Sequence, residues 1–208
     1  MRLKISNIGR RYYLTYNFVM KRFLLLLTIF CLGISVHALE NTITEQVTAL
    51  YNSNKLDEAM KVIKNIPEND RTAEIWLLTG NILQDQDKIS DAVFMYKRAI
   101  LVNPDYYKPY YNLANIYLYE ERPNLAIENY KKAIKLKPDF AYGYYNTGCA
   151  YLRLGDYKHA KKYFSKAVEL KNTEPDFQYN LAYTYKMLNN SKKANIHLDF
   201  YNKLINGQ

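Results

Sequence analysis

Tyr107–Phe140 reads YKPYYNLANIYLYEERPNLAIENYKKAIKLKPDF, and the chain repeats this pattern with a period of 34. One period later, Tyr110, Ala114, Tyr117, Ala126, Tyr130, Ala133 and Pro138 become Tyr144, Gly148, Tyr151, Ala160, Phe164, Ala167 and Asn172. One period earlier they become Trp76, Gly80, Leu83, Ala92, Tyr96, Ala99 and Pro104. Small residues and aromatics at constant offsets over such a period mark an array of helix–turn–helix units. The mixture has a physical cause. Two helices approach closely only where side chains are small, and bulky residues from one fill the gaps of the other.

Working outward gives full units at 73–106, 107–140 and 141–174 and less regular ones at 40–72 and 175–208. In the first unit Val47, Leu50, Ala59, Ile63 and Ile66 occupy the apolar slots, but its first helix has neither aromatic knob nor small residue. It is expected to cap the N-terminal end, because a terminal repeat turns one face to water. The last unit keeps phase through Leu181, Ala182, Tyr185, Ala194 and Leu198. Its final helix carries Asn195, Asp199 and Asn202, a polar stripe expected to face solvent and close the stack. Pro104 and Pro138 stop second helices, and Asp105 and Asp139 are placed to cap the helices that follow. Pro123 opens a second helix where its missing N–H costs nothing. Gly155 is free to take a positive φ in the tight turn of its unit. Pro175 sits three residues late relative to Pro138, which predicts a longer connection before the last unit.

Residues 1–38 are a leader of different character. Lys21 and Arg22 precede an apolar run from Phe23 to Val36, and Val36-His37-Ala38 places small residues at the −3 and −1 positions of a cleavage site. This is the layout of a secretory signal peptide cleaved after Ala38, with Met20 the better start. The apolar run falls short of the ~20 residues that cross a bilayer comfortably. An uncleaved N-terminal membrane anchor and an organelle transit peptide are the alternatives, the latter because residues 1–22 are Arg-rich and acid-free. The expected location is therefore exported, periplasmic or secreted.

The leader also explains most of the charge. The formal net charge is +9, from 29 Lys and Arg against 20 Asp and Glu. Residues 1–38 hold Arg2, Lys4, Arg10, Arg11, Lys21 and Arg22 and no acid, so residues 39–208 carry 23 basic against 20 acidic residues, a net +3. That balance does not support a nucleic-acid groove. An apolar fraction of 49% with 24% charged residues is a folded composition. Past the leader's Cys31 only Cys149 remains, so an array freed of the leader stands on packing without an internal disulfide.

The offsets resemble those of the tetratricopeptide repeat (TPR) family. The matching slots are the large residues at 76, 110 and 144, Gly or Ala at 80, 114, 148 and 182, and large residues at 83, 117, 151 and 185. Ala at 92, 126, 160 and 194, the aromatics at 96, 130 and 164, Ala at 99, 133 and 167, and Pro at 104 and 138 complete the pattern. The resemblance implies an all-α fold, about five antiparallel helix pairs in a right-handed superhelix with the first and last degenerate. It also implies an adaptor that binds peptides or proteins along a concave face lined by the first helix of each pair. It names no partner, because fold does not fix function.

Nothing in the sequence builds an enzyme. His159 and His197 are the histidines beyond the leader, neither has ligand spacing, and one Cys cannot complete a metal set. No phosphate loop is formed by the seven glycines. The expectation is no catalysis, no metal and no cofactor. In the family's register the groove-facing slots are Glu74, Leu77, Asn81 and Gln84; Lys108, Tyr111, Asn115 and Tyr119; Tyr142, Tyr145, Cys149 and Arg153; and Tyr179, Tyr183 and Lys186. Asn112, Asn146 and Asn180 recur beside them at the same period. Such an Asn ladder with Tyr faces could hold an extended peptide backbone, with Tyr111, Tyr145 and Tyr179 as anchors. The same Asn residues have an equal claim to a purely structural role. Asn81, Lys108, Asn112, Asn115 and Arg153 are partial material for the clamp that some family members use on chaperone C-termini. The expected partner is another protein or peptide, with membrane contact only through an uncleaved leader. A self-associating accessory subunit of a membrane or envelope complex is the second reading.

Overall fold

The computed structural model describes residues 36–207. The leader expectation for residues 1–35 lies outside them, and Val36-His37-Ala38 opens the first described helix. Two compact units divide after Ala59. The first contains α1 (Val36–Asn52) and the start of α2 (Leu56–Lys64). Its Val47 and Ala59 are fully buried. The second continues from Met60 through a 3₁₀ turn at Glu68–Asp70. Its helices are α3 (Ala73–Asp85), α4 (Ile89–Val102), α5 (Tyr107–Tyr119), α6 (Pro123–Leu136), α7 (Ala141–Arg153), α8 (Tyr157–Leu170), α9 (Pro175–Met187) and α10 (Ser191–Asn206). Among the described residues there is no strand.

The period of 34 has a direct structural meaning. A 13-residue first helix, a three-residue turn, a 14-residue second helix and a four-residue connection make one unit. Each second helix packs on its own first helix, and the next first helix packs against both. The small slots work as expected. Ala92, Ala126 and Ala160 are fully buried, as are Tyr96, Tyr130 and Phe164. A Cβ on Gly80 would stand 2.5 Å from the Tyr96 ring, and one on Gly148 would stand 2.7 Å from Phe164. Those approaches admit only glycine without a shift of the ring.

The turns within pairs share one device. Asp87, Glu121, Gly155 and Asn189 all have positive φ, 55–70°. Around Glu121, its N–H bonds the Leu118 carbonyl and the Arg122 N–H bonds the Tyr117 carbonyl; Gly155 and Asp156 repeat this on Leu152 and Tyr151. These paired bonds are the Schellman closure of a helix end. A left-handed residue is therefore required in every unit, and only one unit meets the need with glycine.

Three sequence expectations change here. Asp105 and Asp139 do not cap: α5 and α7 start without a side-chain cap. Instead the Asp105 N–H donates to the Asn103 side chain, a local Asx turn. The connection before α9 is not longer, since residues 171–174 match 103–106 and 137–140. Pro175 has moved from the connection into the first turn of α9, where the N–H is dispensable. The end helix α10 is not simply polar: Asn195, Asp199 and Asn202 are exposed, but so are Ile196, Leu198, Phe200 and Ile205.

Candidate binding face

The first helices α3, α5, α7 and α9 carry all the residues singled out from the sequence, and these fall into two layers. The lower layer is a chain of hydrogen bonds that ties one pair to the next. Asn81 Oδ1 accepts from the Asn112 amide at 2.8 Å and lies 2.9 Å from the Tyr96 hydroxyl. One period on, Asn115 Oδ1 accepts from the Tyr130 hydroxyl at 2.6 Å and from the Asn146 amide at 3.0 Å. The Asn146 amide also lies 2.9 Å from the Tyr111 hydroxyl. At the third seam Cys149 stands in the place of Asn and Phe164 in the place of Tyr. There the Asn180 amide donates to the Tyr145 hydroxyl at 2.8 Å and to the Asp176 carbonyl at 3.1 Å.

Asn81, Asn112, Asn115, Asn146 and Asn180 are half-buried and thus already bonded within the array. Tyr111 and Tyr145 belong to the same layer. Tyr111 packs edge-on against Phe140 at 4.9 Å, and Tyr145 stacks on Phe177 at 4.6 Å. Burial raises the pKa of both phenols above the ordinary tyrosine value. They are pillars of the packing, and their replacement would disturb the fold as well as any partner.

The upper layer faces solvent. Tyr119 is 86% exposed, and Tyr142, Tyr179 and Tyr183 are exposed by 39–49%. Lys108 and Arg153 are exposed beside them, Arg153 paired with Glu121 at 2.7 Å. Tyr142 rests on Phe177 at 5.3 Å with the Lys171 ammonium 5.1 Å above its ring. Tyr179 and Tyr183, with Ala182, Lys186 and Leu198, border a cavity of about 350 Å³. Charge on this face is mixed: Glu74 and Asp176 stand against Lys108, Arg153 and Lys186.

Cys149 is not poised as a nucleophile. Burial pushes the Cys149 thiol up to about 11, so it stays protonated at neutral pH. His159 Nδ1 lies 2.6 Å from Asp156 and its ring stacks on Tyr151. His197 Nδ1 lies 2.8 Å from Gln178, and its ring stacks on Tyr185. Among the described residues no group of three or more His, Cys, Asp or Glu is placed to hold a metal ion.

Sequence reasoning missed the cradle of Trp76. Arg71 and Arg98 lie over its ring, each 5.0 Å from the centroid, and Arg98 pairs with Glu68 at 2.7 Å. The signal was a single Trp within reach of two Arg in a lysine-rich chain.

Family models agree with this architecture. The tetratricopeptide repeat model matches residues 73–106 and 141–173, and a TPR repeat model matches 114–155. The chain carries tetratricopeptide repeats over residues 73–106 and 114–173. Among solved structures this TPR array is similar to a crystal structure of MamA, at 18% identity and a TM-score of 0.70 over 77% of this chain and 95% of that one. It is also similar to a MamA RS-1 double mutant, at 19% identity and 0.71 over 81% and 96%. At such identity the likeness is one of fold, a TPR-type helical solenoid. No curated protein matches the chain. Read coarsely, the TPR array is a protein-interaction scaffold.

Proposed function

We propose that the array captures a peptide or protein segment on its first-helix face and performs no catalysis of its own. The observation that supports this is the upper layer. Four tyrosines stand exposed in one series of slots while the amides beneath them are spent on the fold. A solvated surface gains nothing from exposed phenol rings, whereas interfaces draw on them heavily. The mixed charge of the face suits a near-neutral segment, gripped by rings and oriented by Lys108 and Arg153. The apolar leader supports an exported location, so the partner is sought in the cell envelope.

The test separates the two layers. A variant with Tyr119→Ala, Tyr142→Ala, Tyr179→Ala and Tyr183→Ala should lose the partner retained by the parent chain in affinity capture from its own envelope. Its melting temperature should stay close to that of the parent. Full retention of the partner would refute the assignment. A single Asn146→Ala change should instead lower stability, whatever it does to capture.

A further inference from the structure

The near-neutral total of residues 39–208 conceals a segregation. Residues 39–106 carry 7 basic and 11 acidic side chains, whereas 107–208 carry 16 and 9. Within the basic half the excess lies on the second helices. α6, α8 and α10 hold ten lysines against Glu128, Glu169 and Asp199, a net +7. The first helices α5, α7 and α9 hold Lys108, Arg153 and Lys186 against Asp176, a net +2. Lys131, Lys132, Lys135, Lys158 and Lys162 are exposed, and Lys131 reaches over the Tyr151 ring at 5.5 Å toward α8. Lys131 also approaches Tyr163 of α8, and Lys162 lies 5.9 Å from that ring, so the exposed lysines of the two helices meet there.

α10 continues that surface with a different chemistry. Lys192, Ile196, Phe200 and Lys203 follow at i, i+4, i+8 and i+11, which is one side of a helix. Ile196 is 47% and Phe200 53% exposed. In the repeat register they occupy the positions of Glu128 and Lys132 on α6, and of Lys162 and Lys166 on α8. A large aliphatic residue and an aromatic thus sit in a row that α6 and α8 give to charge, with lysines at either end. Lysines alone would meet any polyanion. Lysines flanking exposed Ile and Phe match the interface of an anionic bilayer, where cations sit at the headgroups and apolar side chains reach the acyl boundary. Among the described residues no helix is long and apolar enough to cross a membrane.

We propose that the second-helix face of residues 123–206 binds the surface of an anionic lipid bilayer, with Ile196 and Phe200 seated below the headgroups. The first-helix face is left free, so a partner and a membrane can be held at once. The inference does not depend on what the first-helix face binds.

The test uses the full chain, so that residues 1–35 are common to every sample. Sedimentation with phosphatidylcholine vesicles is compared with vesicles containing phosphatidylglycerol, at low and high salt, alongside retention on heparin. The parent chain should partition at least roughly tenfold more strongly onto the anionic vesicles, and high salt should remove the difference. Lys131→Glu, Lys158→Glu and Lys162→Glu together should weaken binding to the anionic vesicles severalfold, above whatever the shared leader contributes. Ile196→Ser with Phe200→Ser should weaken vesicle binding severalfold and leave heparin retention unchanged. Circular dichroism confirms that each variant is folded. Equal binding to both vesicle types, or a charge variant that binds anionic vesicles as the parent does, overturns the proposal. If heparin and anionic vesicles hold the parent alike and the Ile196/Phe200 variant changes neither, the face is a general polyanion surface and the lipid assignment is wrong.

Discussion

Two seams of the array solve the same packing problem with different chemistry. Between 107–140 and 141–174, Asn115 sits at the centre of a polar joint with Tyr130 and Asn146. Between 141–174 and 175–206, the same two positions are Cys149 and Phe164, and the joint is largely apolar, with the Asn180 bond to Tyr145, a weak hydrogen bond between Tyr145 and the Cys149 thiol, and the Gln178 bond to the Asn172 carbonyl. The two changes go together. A buried Tyr hydroxyl needs an acceptor, and a buried Asn needs partners for its amide. Exchanging one without the other would strand a polar group. The repeat therefore varies in coupled pairs, Tyr with Asn or Phe with Cys, and each pairing is complete in itself.

The largest effect is expected where the polar joint is emptied. Asn115→Leu removes the acceptor shared by Tyr130 and Asn146 and should cost about 2–4 kcal/mol in chemical denaturation, because the buried Tyr130 loses its acceptor and the half-buried Asn146 amide loses one of its two. Cys149→Ala at the apolar seam should cost about 1 kcal/mol, since only a weak thiol hydrogen bond to Tyr145 is lost with the side chain. Similar losses at both seams would break the comparison.

The next effect is a pH response that begins at the apolar seam. The folded Cys149 titrates at about 11, above its ordinary value of 9.0, because burial disfavours the thiolate. The fold thus binds this proton more tightly than the unfolded chain does. Its contribution is fully present below pH 9 and is lost as pH rises toward 11, by about 2 kcal/mol. Thermal melts across that range should show the fall, and Cys149→Ala should flatten it until the tyrosines begin to ionise.

Much of this was legible in the sequence, and the part that was not has a clear cause. Helix positions, turns and core alanines follow from one period, because each small or large slot serves a contact inside its own unit. The recurrence of Asn112, Asn146 and Asn180 was also visible, but not its purpose. Their partners stand 31 or 35 residues earlier, on the preceding unit, and become neighbours only when the units stack. Reading the columns jointly would have helped, since Tyr96 with Asn81, Tyr130 with Asn115 and Phe164 with Cys149 are each 15 apart. The role of the tyrosines was legible only in part, because slot alone does not separate Tyr145, held against Phe177, from Tyr119, which is open to water.

A transplant sharpens the comparison further. Phe164→Tyr places a hydroxyl opposite Cys149 in a fully buried site and should cost about 1–2 kcal/mol for the poorly paired group. Adding Cys149→Asn supplies an acceptor and an amide in the geometry of the neighbouring seam. The double variant should recover most of the loss, which a double-mutant cycle measures as a favourable coupling. No coupling would mean that the two positions vary independently.

The smallest effect concerns the turns that flank the same seams. Glu121 and Gly155 hold equivalent left-handed positions, with φ of 55° and 70°. A side chain in that region costs about 1 kcal/mol relative to glycine. Glu121 has one compensation, its exposed ion pair with Arg153, and such pairs contribute only about 0–1 kcal/mol. Glu121→Gly should therefore stabilise the protein by a few tenths to about 1 kcal/mol. Gly155→Ala should destabilise it by about 1 kcal/mol, and purely through the backbone, because nothing lies within 4 Å of the added Cβ. Opposite signs at these two sites, read from denaturation midpoints at unchanged slope, would show that the turn geometry is common to both units and that only one unit has the residue suited to it.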